Sequence, residues 1–308
     1  MNAVAQTIKN NLGLVCITNS EKVRYKTVTR KTLLSLDAAA QAEKLRTLYQ
    51  ENINRVNSAI DFCKANDINL YRLTSGLFPF SDEQIGTDIL DEFAAQLSDA
   101  GNRATANGLR IVMHPDQFVV LSSDSENVVQ TSVKILKMHA KTLDLLNQPR
   151  SEWATMNIHG GKGDRIDKLV DSIEKLPDEI CSRIAFENDE YSYSSEQILE
   201  VCRRANVPFV FDAHHHVCRE KLDDYNHPSV SETFWAARET WTNPDNQMVH
   251  ISNGREHFQD RAHNDLIFTM PDVFRFAKWI EVEAKHKEIA IAKLQTEWIK
   301  QESEKVKR

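Results

Sequence analysis

The sequence predicts an α/β protein that folds as a single (β/α)8 barrel, the TIM barrel, and two observations predict this fold. Short apolar runs alternate with helical patterns eight times along 308 residues, and one such barrel takes about 250 residues. Six of the runs end in a His, Asp or Glu residue, as expected of buried strands that deliver metal ligands to the barrel mouth. These residues, spaced by 45, 28, 25, 38 and 33 positions, are His114, His159, Glu187, Asp212, His250 and Glu283.

Four strands and three helices are expected in the first half of the chain. Parallel strands are buried on both faces, so nearly continuous apolar runs indicate them. Apolar residues at helical spacing, such as Leu45, Leu48 and Ile53, indicate the first helix, and Gly108 is a suitable stop for the second. The predicted strands are Leu12–Ile17, Leu70–Leu73, Leu109–Met113 and Ala154–Ile158, and the predicted helices are Ala38–Ala65, Asp88–Asn107 and Glu126–Leu146.

The second half repeats the same alternation and brings the strand count to eight. A charged closing helix is expected over about Glu288–Arg308. No linker or low-complexity segment interrupts the pattern, so one domain over 1–308 is expected. The predicted strands are Ile184–Phe186, Phe209–Phe211, Met248–Val249 and Trp279–Val282, and the predicted helices are Arg165–Lys175, Ser195–Ala205, Val230–Trp241 and Pro271–Ala277.

Composition and charge limit the classes of function. A formal charge of −7 at pH 7 disfavours a polyanionic partner, because affinity for nucleic acid comes largely from Lys and Arg. Three divalent ions would contribute six positive charges and leave the loaded protein near −1. No run approaches the roughly 18 apolar residues of a membrane span, and residues 1–11 lack the apolar stretch of a secretory signal. We therefore expect an intracellular protein, with no membrane partner and with its five cysteines reduced.

The strand-end residues form part of a pool of eight potential metal ligands. Asp212 is followed by His215 three positions later, and we favour His215 over its neighbours, with His216 as a residue that supports a ligand. Any one member has about even odds of being structural, but six strand ends together favour one metal centre. Mixed imidazole and carboxylate ligands without thiolate favour manganese or zinc, with iron and cobalt as alternatives. Eight ligands imply more than one ion, and Glu187 and Glu283 are the expected bridges. The pool comprises His114, His159, Glu187, Asp212, His215, His250, His263 and Glu283.

Four loops carry residues suited to a nucleic-acid substrate. The turn from Gly160 to Lys162 has the glycines and the cation of a phosphate-binding turn, although an ordinary βα turn is an equally good interpretation. Gln117 and Phe118 place an amide and a ring where they could wedge into a base stack, whereas simple packing is commoner for a loop aromatic. Basic residues also cluster at Arg255 with Arg261 and at Lys285 with Lys287. For any one cluster, a solvated surface loop without a function in binding is the commoner interpretation.

Several short strings in a fixed order extend over almost the whole length of the chain, and together they are far more specific than any one of them. They are Leu12-Gly13 with Cys16, Arg30-Lys31-Thr32-Leu33, Asn54, Arg72-Leu73-Thr74-Ser75, Phe78-Pro79-Phe80, Met113-His114-Pro115-Asp116-Gln117, Asn157-Ile158-His159-Gly160-Gly161, Phe186-Glu187-Asn188-Asp189-Glu190, Phe211-Asp212 to His216, Val249-His250-Ile251-Ser252, His263 and Glu283-Ala284-Lys285. In these strings the chain resembles the UV damage endonucleases.

This resemblance implies a metal-dependent DNA repair enzyme that nicks damaged double-stranded DNA on the 5′ side of UV photoproducts. It implies that the eight residues of the pool hold two or three divalent ions, typically Mn²⁺, with Zn²⁺, Co²⁺ or Mg²⁺ as alternatives. It also implies that Gln117 and Phe118 probe the opposite strand, where Phe118 replaces a more usual tyrosine. Met248 stands where family members can carry a carbamylated lysine, and Ser75 and Gly76 occupy the stretch where a histidine can follow strand two.

The predicted function is therefore a DNA repair endonuclease that uses metal-activated water, acting as a monomer in the cytoplasm and at the nucleoid. The alternatives are an endonuclease for abasic sites, a sugar isomerase of similar fold, and a damage-binding protein without nuclease activity. Expected catalytic residues are Glu187, Glu283, His114 and His215, and expected DNA or lesion contacts are Gln117, Phe118, Lys162, Arg255 and Lys285.

Overall fold

Eight parallel strands close into one barrel in chain order. A computed structural model describes residues 9–115 and 118–299 of the chain, and each strand within them pairs with the next while the last pairs with the first. The predicted (β/α)8 barrel is therefore confirmed. The strands are β1 Asn11–Val15, β2 Leu70–Leu73, β3 Arg110–Met113, β4 Met156–His159, β5 Ile184–Glu187, β6 Phe209–Asp212, β7 Met248–Ile251 and β8 Trp279–Val282.

Helices connect the strands on the outside of the barrel. Short 3₁₀ segments lie at Glu152–Ala154, Pro244–Asn246 and Asp272–Phe276, and a π-helical turn covers Gln295–Ile299. Among the described helices, none combines the length and the apolar character needed to cross a membrane. The α-helices are α1 Arg30–Leu34, α2 Ala38–Ala65, α3 Gln84–Glu92, α4 Ala94–Ala106, α5 Glu126–Leu145, α6 Ile166–Ile173, α7 Asp178–Cys181, α8 Ser195–Ala205, α9 Ala213–Glu220, α10 Pro228–Arg238 and α11 Glu288–Leu294.

Capping residues define the helices that match the sequence prediction at both ends. The Asp37 side chain accepts a hydrogen bond from the backbone N–H of Ala40 and begins α2. At α8, Ser194 and Gln197 form a reciprocal capping box, and the helix ends where Asn206 adopts the left-handed conformation. These local signals, added to apolar periodicity, fix the bounds of both helices.

The predicted helices Arg165–Lys175 and Val230–Trp241 correspond to α6 and α10, with ends shifted by one to three residues. Three other predicted helices differ in number, type or extent. The expected helix Asp88–Asn107 is two helices, α3 and α4, because the backbone leaves the helical conformation at Phe93. The expected helix Pro271–Ala277 is a short 3₁₀ segment. The closing helix over 288–308 is α-helical only through α11 and continues as a π-helical turn to residue 299, while residues 300–308 lie outside the described part of the chain.

Side chains alternate along each strand between two environments. In β2, Tyr71 and Leu73 belong to the large core that packs against the helices, whereas Leu70 belongs to a separate small cluster. Residues two positions apart on a strand share a face, so this small cluster lies inside the barrel near the N-terminal ends of the strands. Polar residues replace it towards the C-terminal ends. The small cluster comprises Leu70, Val112, Ala185, Val210, Trp241, Met248 and Trp279, with Trp153 packed against it.

Candidate metal centre

Histidine and carboxylate side chains converge at the C-terminal mouth of the barrel. Three groups have potential ligand atoms that all lie within 4.8 Å of one another. Glu187 belongs to two of them, so it is placed to bridge two cations. The groups are His114 with His159 and Glu187, Glu187 with Asp212 and His215, and His250 with Glu281 and Glu283.

Glu187 lies at the centre of this arrangement and is 2% exposed. Its Oε1 atom lies 3.1 Å from Nδ1 of His250 and 3.5 Å from Nδ1 of His215. Its Oε2 atom lies 3.5 Å from Nε2 of His114 and accepts a hydrogen bond from the buried amide of Asn157. The carboxylate is therefore held in one orientation with both oxygens facing potential cation partners.

The segment after β6 positions the second group. The Asp212 carboxylate caps α9 by accepting the backbone N–H of His215 at 2.8 Å. The Asn188 side chain both accepts from the Asp212 N–H at 2.9 Å and donates to the Asp212 carbonyl at 3.0 Å. The β5 and β6 ends are thus linked at the point where each delivers a carboxylate.

Two histidines have ring nitrogens whose roles are fixed by backbone carbonyls. Nδ1 of His114 lies 2.9 Å from the carbonyl of Pro115, and Nδ1 of His215 lies 2.9 Å from that of Asn188. A carbonyl only accepts, so in the neutral form of each ring Nδ1 carries the proton and Nε2 holds the lone pair that can bind a cation. Nδ1 of His159 is buried and has no hydrogen-bond partner among the described residues.

A buried ion network completes the third group. Nη1 of Arg72 lies 3.3 Å from Glu281, and Nη2 of the same guanidinium pairs with Glu283. Glu281 also pairs with Nε2 of His250, and both residues are fully buried. Arg72 therefore neutralises part of the negative charge that two adjacent glutamates bring into the barrel.

Neighbouring opposite charges in the mouth keep the buried carboxylate of Glu187 and the imidazole of His215 ionised. Burial opposes the ionisation of Glu187, but the nearby His250 and His159 outweigh burial and hold the pKa of Glu187 well below its usual range. Burial likewise disfavours the imidazolium of His215, yet Asp212, Glu187 and Glu190 raise its pKa to about 9. Since a coordinating imidazole must be neutral, a cation that binds His215 displaces a proton.

His263 and His215 lie at the metal centre as predicted, whereas His216 does not support a ligand. His263 lies at the edge of the cluster, with Nδ1 4.0 Å from Glu283. His215 faces the mouth, whereas His214 hydrogen-bonds to the hydroxyl of Tyr225. His216 was expected to support a ligand, but its two ring nitrogens lie 2.9 Å and 3.0 Å from the hydroxyls of Ser195 and Ser229, because successive residues of α9 point in different directions.

Three residues of the site lie one layer below the strand ends, so the pattern of strand-end residues does not include them. Glu281 and Asn157 each lie two positions before a predicted ligand, and Arg72 lies within β2. The period of two along a strand provides a usable signal, because the residue two places before an inward ligand also faces inward. Met248 occupies the same position below His250, but it packs in the small apolar cluster.

The predicted DNA contacts lie around the mouth in different environments. Phe118 is 66% exposed and Lys285 is exposed, whereas Gln117 lies outside the described residues. The ammonium of Lys162 lies 3.1 Å from Asp124, so part of its charge is already neutralised. Arg255 is exposed and its Nε donates to Glu256 at 3.1 Å.

Comparison with known proteins gives the same family from sequence and from structure. A family model described as UV-endonuclease UvdE matches residues 10–308. The UV DNA damage endonuclease of Nostoc sp. is 54% identical over 300 residues, covering 96% of this chain and 93% of the relative. That of Deinococcus radiodurans is 46% identical over 286 residues, covering 92% and 94%.

Solved structures agree with the sequence comparison. The crystal structure of SacUVDE has a TM-score of 0.81 at 25% identity and covers 97% of this chain and 100% of that one. Endonuclease IV from Thermus thermophilus has a TM-score of 0.59 at 13% identity, over 94% of this chain and 99% of that one, and shares the fold. By the family match and by its identity to these relatives, this chain belongs to the UV-endonuclease UvdE family.

Proposed function

We propose that the protein is a divalent-metal-dependent DNA repair endonuclease that hydrolyses the phosphodiester backbone 5′ of UV photoproducts in double-stranded DNA. Pyrimidine dimers and 6-4 products are the proposed lesions, with abasic sites as a further substrate. The observation that carries the proposal is the bridging position of Glu187 between two ligand groups at the mouth of the barrel. The relatives named UV DNA damage endonuclease support the choice of substrate.

The donor set fits two or three divalent cations. Imidazole nitrogens and carboxylate oxygens without thiolate are suited to Mn²⁺, our first choice, and to Zn²⁺ or Co²⁺, while Mg²⁺ prefers more oxygen. The buried and unpartnered Nδ1 of His159 also fits, because a buried polar atom without a partner is costly. The proposed ligands are His114, His159, Glu187, Asp212, His215, His250, His263 and Glu283.

When bound, the cations supply an activated water and stabilise charge on the leaving oxygen. Residues of the chain hold the proposed ligands in the orientation that this chemistry needs. Glu187, Glu283, His114 and His215 are the proposed catalytic residues, and Asn157 keeps Glu187 in one orientation. The Nδ1 hydrogen bonds of His114 and His215 hold both rings in place, and Nε2 of His114 faces Glu187. Phe118, Lys162, Arg255 and Lys285, together with Gln117, are the proposed DNA or lesion contacts.

An incision assay tests this proposal. Metal-stripped protein is reloaded with Mn²⁺, Zn²⁺, Co²⁺ or Mg²⁺ and added to end-labelled duplexes with a photoproduct, an abasic site or no damage. We expect a nick 5′ of the photoproduct, with Mn²⁺ as the best activator. Glu187→Gln should lower the rate at least about 100-fold, since it removes a charge from two groups. Glu190→Gln should lower it far less, because Glu190 lies 3.7 Å from Nε2 of His215 but belongs to none of the three ligand groups.

The three damaged and undamaged arms separate the alternatives. Incision of the abasic duplex alone would support the abasic-site endonuclease. Binding of irradiated DNA without any nick would support a damage-binding protein, the alternative raised by Met248. A fully loaded protein that leaves both damaged duplexes intact would overturn the proposal. Size-exclusion chromatography coupled to light scattering tests the proposed monomer, and imaging of a tagged protein tests its proposed cytoplasmic and nucleoid location.

A further inference from the structure

An arginine and a tyrosine from two different loops form a contact at the rim of the mouth. Arg261, after β7, has its guanidinium carbon 3.9 Å from the centre of the Tyr191 ring, after β5. The same guanidinium donates a hydrogen bond to the Tyr191 hydroxyl. The tyrosine nevertheless remains 63% exposed, so much of its surface faces solvent. No carboxylate in the described part of the chain forms an ion pair with Arg261.

The Tyr191 loop is held rigidly. The Asp189 carboxylate, which is only 9% exposed, accepts the N–H of Tyr191 at 2.7 Å and also that of Ser192. Its other oxygen accepts the N–H of Tyr193 at 3.2 Å. These bonds fix the backbone that carries the ring, the contact with Arg261 orients the ring itself, and such preorganisation favours binding. Packing alone does not explain an ordered aromatic side chain that leaves most of its surface in water.

Tyr191 lies directly beside the proposed metal centre. It lines a recess of about 400 Å³ together with His114, His159, Glu190 and His215. A substrate phosphate that reaches the cluster therefore brings its neighbouring nucleotide close to this ring.

We infer that Tyr191, backed by Arg261, is a stacking platform for an unpaired nucleobase of the strand that is cut. This inference rests on the proposed function. Base stacking on an aromatic side chain contributes about 1–3 kcal/mol per base by alanine substitution. The guanidinium stacked behind the ring fixes its tilt, and the N–H groups that Tyr191 does not use are donors for the adjacent phosphate. Tyr191 and Arg261 therefore determine which nucleotide beside the cut is bound.

Single-turnover incision with Tyr191→Ala, Tyr191→Leu and Tyr191→Phe tests the platform. With the Mn²⁺-loaded enzyme on a photoproduct duplex, we expect Tyr191→Ala and Tyr191→Leu to raise the half-saturating enzyme concentration about 5- to 150-fold. Tyr191→Phe keeps the ring and should stay within about threefold. A 2-aminopurine base beside the lesion should change its fluorescence on binding to wild type and to Tyr191→Phe, but not to Tyr191→Leu.

Arg261 is tested separately by salt dependence. Arg261→Gln should make the slope of log affinity against log salt shallower by about one, while Arg261→Lys should retain that slope and lose affinity through the lost planar contact. Metal content and thermal midpoint are measured for every variant, and Tyr191→Leu carries the test if the alanine variant does not fold.

The possible failures are distinguishable. If wild-type enzyme neither binds nor cuts damaged DNA, the proposed function and the platform both fail. If wild type cuts, and Tyr191→Leu matches it in half-saturation and in 2-aminopurine fluorescence, only the platform is overturned.

Discussion

At the scale of single residues, the barrel mouth depends on side chains that serve more than one neighbour. Glu187 faces three histidines and an amide. Arg72 pairs with two glutamates. Such shared partners explain how so many ionisable groups are buried together, because each charge has an opposite charge or a donor in contact with it.

A buried histidine outside the mouth makes stability depend on pH. His139, on α5, is 1% exposed, and burial, with a smaller contribution from His114, lowers its pKa to about 4. The unfolded chain takes up this proton near pH 6.5, so the stability present above 6.5 is lost as the pH falls towards 4. Between pH 7 and pH 5 we expect a loss of about 2 kcal/mol from this residue.

Urea unfolding at several pH values in the presence of a chelator measures this effect. His139→Gln should remove the proton uptake and flatten the dependence, whereas His257→Gln, at an exposed position, should leave it as in wild type. Equal slopes for wild type and His139→Gln would show that His139 does not titrate on unfolding.

The residues predicted and missed at this scale differ in one physical respect. Glu187 and Asp212 end apolar runs, and a carboxylate at that position is costly unless it faces a polar mouth. Glu281 lies inside its run, so the pattern of strand ends contains no trace of it. Its pairing with His250 depends on the register of β7 against β8, which is a property of the closed barrel.

At the scale of elements, strands were easier to predict than connections. The bounds of β2, α2 and α8 agree with the prediction, because apolar periodicity and capping signals coincide there. Helix α9 was not expected, since Ala213 is followed by three histidines and no apolar period precedes Val217. Its N-terminus is instead defined by the Asp212 cap, and that contact is also what turns His215 towards the cluster.

Asp212 therefore has two separable roles, as cap of α9 and as proposed ligand. Asparagine keeps a capping oxygen but loses the charge, and alanine loses both. We expect Asp212→Ala to be less stable than Asp212→Asn by about 1 kcal/mol in chelator. Both variants should lose incision at least about 100-fold and bind less metal. Denaturant unfolding, metal analysis and incision assays measure the three quantities.

Each role of Asp212 can fail independently. Equal stability of the two variants would contradict the role of Asp212 as cap of α9. Full metal content and a wild-type incision rate in Asp212→Asn would contradict its role as a metal ligand.

At the scale of the whole molecule, the barrel interior changes character along its axis. Near the N-terminal ends of the strands, Arg110 is fully buried between aromatic rings, 5.1 Å from Trp153 and 5.2 Å from Trp279. Its guanidinium donates to the carbonyls of Trp153, Asn246 and Glu152 at 2.7 to 2.8 Å. One layer above, in the adjacent strand, Arg72 faces the glutamates of the metal centre. Arginine thus has two different roles in the barrel interior. Arg110 fills the end near the N-termini of the strands, and Arg72 neutralises negative charge at the other end.

This gradient predicts opposite consequences for one substitution at two neighbouring positions. Arg110→Met leaves three partly buried carbonyls without their guanidinium donor, and we expect a loss of about 3–5 kcal/mol in unfolding free energy. Metal content and the incision rate of the folded enzyme at low temperature should stay within about twofold of wild type. Arg110 lies near the N-terminal ends of the strands, whereas the active sites of TIM barrels lie at the C-terminal ends. Arg72→Met should instead lower metal content and incision at least about tenfold, because Glu281 and Glu283 lose their shared cation. Unfolding curves, metal analysis and single-turnover incision on both variants make the comparison, with Arg110→Lys as a milder substitute if Arg110→Met does not fold. A large loss of metal in the Arg110 variant would contradict this prediction. It would mean that packing around Arg110, at the N-terminal ends of the strands, determines the geometry of the metal centre.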